Sequence, residues 1–306
     1  MNQQLGARPA QAFFLQARQG QRFCLFYRPE QSARGALLYV HPFAEEMNKT
    51  RRMAALQARS FAQQGYAVLQ IDLFGCGDSS GDFCEARWEI WRQDLELACD
   101  WLARQCCGPL GLWGLRLGAL LALDFSADAR LPVQHLILWQ PVLSGKSHLN
   151  QFLRMRVASQ MLANDGAPEP GVNHAALNNS SLRAELAAGG SIEVGGYELS
   201  AELAAAIDRR DAAQLAPRCT THWFESTTIA GIGQTDGLEN KPKNAPENAS
   251  ASVPLIAPAV ARCATTWRDA GATLHLHPVC GAPFWATIEI AECPAMLAAT
   301  TAAICT

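Results

Sequence analysis

Short apolar runs alternate with longer segments whose apolar residues recur at helical spacing, and this alternation constrains the fold more than any other feature. The apolar runs lie at 36–40, 66–73, 110–113 and 133–139. Nearly continuous apolarity over so few residues is typical of strands buried on both faces of a sheet. Helical patterns at 50–64, 85–104 and 117–125 separate the runs, and a last helix is predicted at 288–304. The order predicts an α/β protein with a mostly parallel central sheet and helices on both faces.

The two ends of the chain extend this pattern, and one internal segment interrupts it. Runs at 12–15 and 22–27 flank Gly20 and predict an antiparallel hairpin. Residues 144–215 are Ala-rich and break the rhythm, and we interpret them as an inserted cap that includes a hairpin at 192–199. We therefore expect an α/β core formed by 1–143 and 216–306. Within it, residues 227–252 are rich in Gly, Asn, Pro, Ser and Thr, which predicts a long, mobile surface loop.

Composition narrows the class of protein. The 306 residues carry a formal net charge of -3 and scattered basic residues, so no nucleic-acid or anionic membrane partner is expected. Eleven cysteines without a C-x-x-C pair argue against a disulfide framework or a structural metal site. No apolar run reaches the roughly 20 residues that span a bilayer, so we expect a cytoplasmic protein. The glycine-rich stretch 75–81 lacks the features of a nucleotide loop, so we expect no cofactor.

The segment Gly114-Leu115-Arg116-Leu117-Gly118 lies at a predicted strand-to-helix turn. A G-x-S-x-G sequence in that context forms a nucleophile elbow, in which the serine is exposed at the edge of the sheet. Both glycines stand at the required spacing, but the middle residue is arginine. A guanidinium stays protonated and has no lone pair to offer, so Arg116 cannot act as the nucleophile.

With these residues in view, the chain resembles the α/β-hydrolase superfamily over nearly its full length. The Asp72-x-x-Gly75-x-Gly77 segment matches the turn that follows the second parallel strand, where Asp72 is expected to cap the turn, and His41-Pro42-Phe43 stands where the superfamily carries its oxyanion loop. Segments 41–49, 114–118 and 139–145, with 283–285, resemble more narrowly the bacterial exosortase A system-associated hydrolase 2. That resemblance implies acyl hydrolysis, of an ester or a thioester, in connection with an exosortase and exopolysaccharide system.

The sequence departs from this family pattern at a second place. A catalytic histidine is expected after the last strand, where this chain has Pro283. His275 and His277 lie earlier and alternate to one face of the strand, which favours half-buried strand residues over a displaced base. Glu225 is the nearest candidate for the acid. Arg116 and Pro283 together lead us to expect that no serine-hydrolase chemistry occurs.

Arg116 should lie at the carboxyl ends of the strands, beside the N-terminus of the next helix, where ligands of open α/β sheets bind. A cation there requires a negative partner. Glu45 and Glu46, expected on the loop after the neighbouring strand, could pair with it bidentately, or an anionic ligand could. The residues that we expect to form the ligand site are His41, Phe43, Asn48, Arg52, Arg116, Leu117 and Trp285.

Three functions remain open at this point. The chain could be an acyl hydrolase with a non-standard site, supported by fold and resemblance. It could be a catalytically inactive hydrolase fold that binds an acyl or anionic small molecule, or a protein of the exosortase and exopolysaccharide system. It could also use Glu45 or Glu46 as a general base on water, with Arg116 stabilising an oxyanion.

Overall fold

Ten β-strands and eight α-helices are present in the computed structural model, which describes residues 9–164, 178–227 and 256–305. The strands are β1 (Gln11–Gln16), β2 (Gln21–Tyr27), β3 (Gly35–Val40), β4 (Tyr66–Ile71), β5 (Leu110–Leu115), β6 (Val133–Trp139), β7 (Ser191–Val194), β8 (Tyr197–Ser200), β9 (Thr220–Thr227) and β10 (Leu274–Cys280). The helices are α1 (Glu45–Gln63), α2 (Trp88–Gln105), α3 (Leu117–Ser126), α4 (Gly145–Asn164), α5 (Asn179–Ala187), α6 (Ala201–Asp208), α7 (Pro258–Asp269) and α8 (Pro294–Cys305).

Eight strands form one sheet in the order β1-β2-β4-β3-β5-β6-β9-β10. The six strands from β4 to β10 in this order run parallel, and β2 joins β4 in antiparallel register. The N-terminal pair β1–β2 is the predicted antiparallel hairpin. Every residue of β3 and β5 is buried, which explains why their sequences show no polar alternation. The predicted α/β class with a mostly parallel sheet is confirmed.

Two layers of core cover the two faces of this sheet. Helices α2, α3 and α7 pack on one face, and α1 and α8 pack on the other. Trp113, Trp139 and Phe224 lie fully buried under α1 and α8. No helix in the described part of the chain is both long enough and apolar enough to cross a bilayer.

The described residues between β6 and β9, 145–164 and 178–214, depart from the sheet and contain α4, α5, the β7–β8 hairpin and α6. The hairpin is the one predicted at 192–199. An isolated antiparallel bridge between Ser144 and Asp211 holds the two ends of the segment together. Gly145 lets α4 begin against α6, because a Cβ there would lie 1.8 Å from the carbonyl oxygen of Ile207.

Helix boundaries differ from the sequence pattern at two places that matter for the site. Helix α1 begins at Glu45 rather than Thr50, so Glu45 and Glu46 lie on its first turn and not on a loop. Two carboxylates there are favourable to the helix dipole and replace a side-chain cap. Helix α8 begins at Pro294, not at residue 288, since proline is well suited to the first helical position. Of the predicted loop 227–252, residues 228–252 lie outside the described part of the chain.

The turn after β4 has the structure expected of it. The carboxylate of Asp72 accepts the backbone N–H of Asp78 at 3.1 Å and forms an ion pair with Arg51 at 3.0 Å. A side chain at Gly77 would collide with that carboxylate. The expected capping role of Asp72 is confirmed.

Candidate functional site

Three residues with strained backbones stand at the carboxyl edge of the sheet. Ala44, Arg116 and Gln140 follow β3, β5 and β6, and their φ angles are 49°, 56° and 43°. Non-glycine residues rarely adopt positive φ, and such residues persist where the surrounding structure holds them, often at functional sites. The strain therefore marks this edge of the sheet as the candidate site.

The two glycines around Arg116 explain how the turn is made. A Cβ on Gly114 would lie 2.5 Å from the Cα of Ala119, and one on Gly118 would lie 2.3 Å from the carbonyl oxygen of His41. Only glycine permits β5, α3 and the segment after β3 to approach this closely. The elbow is therefore present as predicted, with Arg116 at its apex.

The Arg116 side chain is 16% exposed and contacts two residues from other elements. Its Nε donates to Oε1 of Glu46 at 3.2 Å, and its guanidinium carbon lies 5.6 Å from the ring centroid of Trp285. Its two Nη groups have no acceptor among the described residues. The contact with Glu46 is a single hydrogen bond, rather than the bidentate pair that the sequence suggested, and Glu45 does not take part in it.

A pocket of about 340 Å³ opens beside the guanidinium. The polar residues of its wall are Glu45, Glu46, Lys49, Arg116, His148 and Gln151. The remainder is largely apolar. The described residues that line it are Phe43, Ala44, Glu45, Glu46, Lys49, Arg116, His148, Gln151, Phe152, Met155, Trp285 and Ala286. Such a wall suits a small molecule with one polar end.

One carboxylate oxygen of Glu46 accepts a hydrogen bond from the guanidinium of Arg116, and the other has no partner among the described residues. Its side chain is 22% exposed, yet Oε2 is buried and lacks a hydrogen-bond partner among the described residues. Burial raises the pKa of Glu46 above its ordinary value, although the charge and the hydrogen bond of Arg116 oppose the rise. A buried carboxylate oxygen without a donor is costly, so it marks a place where a ligand or a proton would bind.

His148 on α4 is a site residue that the sequence pattern did not reveal. Its imidazole is 7% exposed, and neither ring nitrogen has a partner among the described residues. Burial, with a smaller contribution from the charge of Arg116, lowers the pKa of His148 to about 3. The ring packs edge-on against Phe43, with centroids 5.7 Å apart. A neutral imidazole in this pocket offers one donor and one acceptor.

Glu225, the candidate acid, accepts hydrogen bonds from residues other than a histidine. Its two oxygens accept the Nε2 group of Gln140 at 2.7 Å and the indole N–H of Trp223 at 2.9 Å. Burial raises the pKa of Glu225, and these two hydrogen bonds partly offset the effect. Glu225 therefore supports the strained Gln140 at the edge of the sheet.

Of the residues expected to bind a ligand, Phe43, Arg116 and Trp285 line the pocket, while four lie elsewhere. His41 accepts the N–H of Leu73 at 3.2 Å through Nε2, and its Nδ1 lies 2.8 Å from the carbonyl oxygen of Pro42. Asn48 donates to the Tyr197 hydroxyl, Arg52 pairs with Glu292, and Leu117 is buried beneath the elbow. Four other residues line the pocket, because they lie on the faces of α1 and α4 that are turned towards it. They are Lys49, Gln151, Phe152 and Met155.

The segment after β10 brings Trp285, not an imidazole, against the elbow. The indole is 6% exposed and faces both the pocket and Phe284. His275 and His277 pair in register with β9 and stack on His222, at centroid distances of 4.8 and 5.3 Å. They belong to the surface of the sheet, as expected for strand residues, and do not line the pocket.

One family model and several solved structures are similar to this chain. A model of the Hydrolase_4 family, described as serine aminopeptidase S33, matches residues 31–190. No curated protein sequence matches the chain. Est1E from Butyrivibrio proteoclasticus with bound ferulic acid is 13% identical, covers 95% of this chain and 96% of its own, and has a TM-score of 0.61.

Two further structures show the same fold. A soluble variant of monoglyceride lipase from Saccharomyces cerevisiae, in complex with a substrate analog, is 13% identical over 99% of this chain and 95% of its own, with a TM-score of 0.60. A hydrolase from Agrobacterium vitis S4 is 16% identical over 89% and 90%, with a TM-score of 0.53. At these identities the likeness is one of fold, and function lies in the residues of the site.

Proposed function

The chain belongs to the Hydrolase_4 (serine aminopeptidase, S33) family of α/β hydrolases, and on that premise we propose that its pocket binds an organic carboxylate or acyl ligand without serine-nucleophile chemistry. One observation carries the proposal: the guanidinium of Arg116 stands at the apex of the elbow, with two Nη groups that no described residue bonds. A planar guanidinium is well matched to a carboxylate, to which it donates two parallel hydrogen bonds.

The shape and chemistry of the pocket support a ligand with a polar head and an apolar body. Phe43, Phe152, Met155 and Trp285 provide the apolar part of the wall, and the Nη groups of Arg116 provide donors. The related structure of Est1E holds ferulic acid, an aromatic carboxylic acid, on the same fold. An acid of comparable size is the class of ligand that we assign to this pocket.

Three features support the absence of a Ser-His-acid triad. Arginine occupies the elbow, Pro283 and Trp285 occupy the segment after the last strand, and Glu225 is bonded to Gln140 and Trp223. A working triad requires a nucleophile, a base within hydrogen-bond reach of it, and an acid that orients the base. None of these three positions carries the required contact within the described residues.

A second candidate function rests on Glu46. Glu46 lines the pocket beside Arg116, its Oε2 has no hydrogen-bond partner among the described residues, and a raised pKa makes its carboxylate a stronger base. In this alternative Glu46 activates water, and the Nη groups of Arg116 stabilise the oxyanion of an ester or thioester. Ester turnover that survives serine-directed inhibitors and disappears in Glu46→Gln would favour this alternative.

The proposed test combines labelling, turnover and binding. We expect a fluorophosphonate probe to label no serine, 4-nitrophenyl esters to show no enzymatic turnover, and hexanoate to bind the protein but not Arg116→Gln. Arg154→Gln is the matched control, because it removes an exposed arginine of α4 that does not line the pocket. Site-specific labelling of a serine, or equal hexanoate binding by Arg116→Gln, would refute the proposal.

The resemblance of segments 41–49, 114–118 and 139–145 to exosortase A system-associated hydrolase 2 supports a biological setting for the ligand. We propose that the bound acid, or a protein partner, belongs to an exosortase and exopolysaccharide system. Deleting the gene in a strain that has such a system should impair protein sorting or polysaccharide export. Unchanged sorting and export in the deletion strain would contradict this assignment.

A further inference from the structure

We propose that the pocket takes up one proton together with an organic carboxylate, and that the proton binds Oε2 of Glu46. This inference rests on the proposed function, because it requires the ligand carboxylate to bind the Nη groups of Arg116. The proton comes from solvent, one O–H bond forms on Glu46, and no covalent bond of the ligand changes.

In the proposed complex, the carboxylates of Glu46 and of the ligand both bind the guanidinium of Arg116. Glu46 already holds Nε of Arg116 through Oε1, at 3.2 Å, so a ligand that binds the Nη groups shares the same cation. Two carboxylates that share a site cannot both ionise freely, and the pKa of one of them rises strongly. Since the second oxygen of Glu46 is buried and has no donor, it is the oxygen that gains most from a proton.

The other charged and titratable groups around Glu46 leave the pocket without an excess positive charge for the ligand. Lys49 and Glu45, on the same helix, carry opposite charges in the pocket wall, and the charge of Lys49 favours the ionised form of Glu46. His148 on α4 is neutral at physiological pH, because its pKa is lowered to about 3. Arg116 is therefore matched by Glu46 alone, and a bound carboxylate adds a net negative charge unless Glu46 is protonated.

Glu225 at the end of β9 is the other carboxyl group influenced by Arg116. Both of its oxygens already accept hydrogen bonds, from Gln140 and from Trp223. A proton on Glu225 would weaken the hydrogen bonds that its carboxylate accepts from Gln140 and Trp223. Glu46 has no such constraint, so it is the better site for the proton.

Protonation of Glu46 changes which polar groups around the ligand donate hydrogen bonds. A proton turns Oε2 of Glu46, which is buried and has no partner among the described residues, from an acceptor into a donor, and the two Nη groups of Arg116 remain for the carboxylate. The ligand body then packs against Phe152 and Trp285. Binding of the acid thus supplies an acceptor to the Nη groups of Arg116, which bond no described residue.

The test is isothermal titration calorimetry between pH 6 and pH 8 with butanoate, hexanoate and 3-phenylpropanoate, each beside its primary amide. Two buffers of different ionisation enthalpy report the number of protons taken up. We expect uptake that approaches one proton per carboxylate bound, and a Kd that rises by up to about tenfold per pH unit. The amides should bind without proton uptake and with a Kd that does not depend on pH.

One variant tests Glu46, and a second is its matched control. Glu46→Gln keeps the shape of the protonated side chain, so we expect it to bind carboxylates at pH 8 more tightly than the native protein and without proton uptake. Glu185→Gln removes an exposed glutamate of α5 that does not line the pocket, and it should retain the uptake. Circular dichroism of each variant checks that the fold is intact.

The outcomes distinguish this inference from the proposed function. Carboxylate binding with equal Kd at pH 6 and pH 8 and no proton uptake would overturn the role of Glu46 while leaving the pocket as a carboxylate site. Weaker carboxylate binding by Glu46→Gln at pH 8 would overturn it too. Failure of all three carboxylates to bind at either pH would overturn both.

Discussion

The indole of Trp285 lies over the guanidinium of Arg116, with 5.6 Å between the ring centroid and the guanidinium carbon. The contact joins the elbow after β5 to the segment after β10. In a serine hydrolase these two places carry the nucleophile and the histidine that activates it. In this chain Arg116 and Trp285 occupy these places, and the face of the indole ring attracts the cation.

Trp285→Phe should weaken ligand binding without removing it. The phenyl ring keeps an apolar wall but attracts a cation less strongly than an indole, and cation–π contacts contribute about 0.5–1 kcal/mol at partly exposed sites. We therefore expect the Kd for hexanoate to rise about two- to fivefold. Calorimetry measures it, and Trp101→Phe, a change remote from the pocket, is the control. A Kd unchanged by Trp285→Phe would mean that the indole does not contribute to the site.

Arg116→Ser should not restore ester hydrolysis. Both ring nitrogens of His41 bond backbone groups, and burial is the main cause of the low pKa of His148, about 3, which makes it a weak base. The measurement is turnover of 4-nitrophenyl acetate and butanoate by purified Arg116→Ser. Robust turnover that disappears in Arg116→Ser with His148→Ala would show that His148 serves as a base after all.

Asp94→Ala should destabilise the protein strongly. Asp94 and Arg22 form an ion pair at 2.7 Å, with side chains 2% and 1% exposed, and the same carboxylate accepts the N–H of Phe74. Removing one partner of a buried pair leaves a charge without compensation and costs about 3–5 kcal/mol. The free energy of unfolding in urea measures the loss. The double variant Arg22→Met with Asp94→Leu should lose less than Asp94→Ala, and an equal or greater loss would count against this explanation.

Stability should fall as the pH is lowered from about 6.5 towards 4, and His222 should contribute to the fall. Burial, together with the nearby His275 and His277, lowers the pKa of His222 to about 4. Between the unfolded and folded pKa values, the unfolded chain binds a proton that the folded chain does not, so acid favours unfolding.

His222→Gln tests this contribution, because glutamine keeps a polar side chain that does not titrate. We expect its midpoint of urea unfolding to fall less than that of the native protein between pH 7 and pH 4.5. His174→Gln is the control, because it makes the same substitution at another histidine of the chain. Parallel losses in the native protein and His222→Gln would assign the acid sensitivity to other groups.

Local sequence determined the sheet, the elbow and the identity of the residue at its apex. Strand and helix periodicities, and the glycines at 114 and 118, follow from short-range requirements of backbone packing. They can therefore be recognised from the sequence. The same is true of Asp72, whose carboxylate caps a turn only six residues away.

Which of its candidate partners Arg116 contacts was decided by the tertiary structure. Glu46 lies 70 residues away, and its selection over Glu45 depends on α1 beginning at Glu45, which turns one carboxylate towards the elbow and the other aside. His148 enters the pocket because α4 packs across it, and Trp285 because β10 ends beside it. Such contacts depend on how distant elements are oriented when they pack, and no local periodicity encodes that orientation. The sequence therefore determines that a cation occupies the elbow, while the packing of α1 and α4 determines which oxygens and nitrogens surround it.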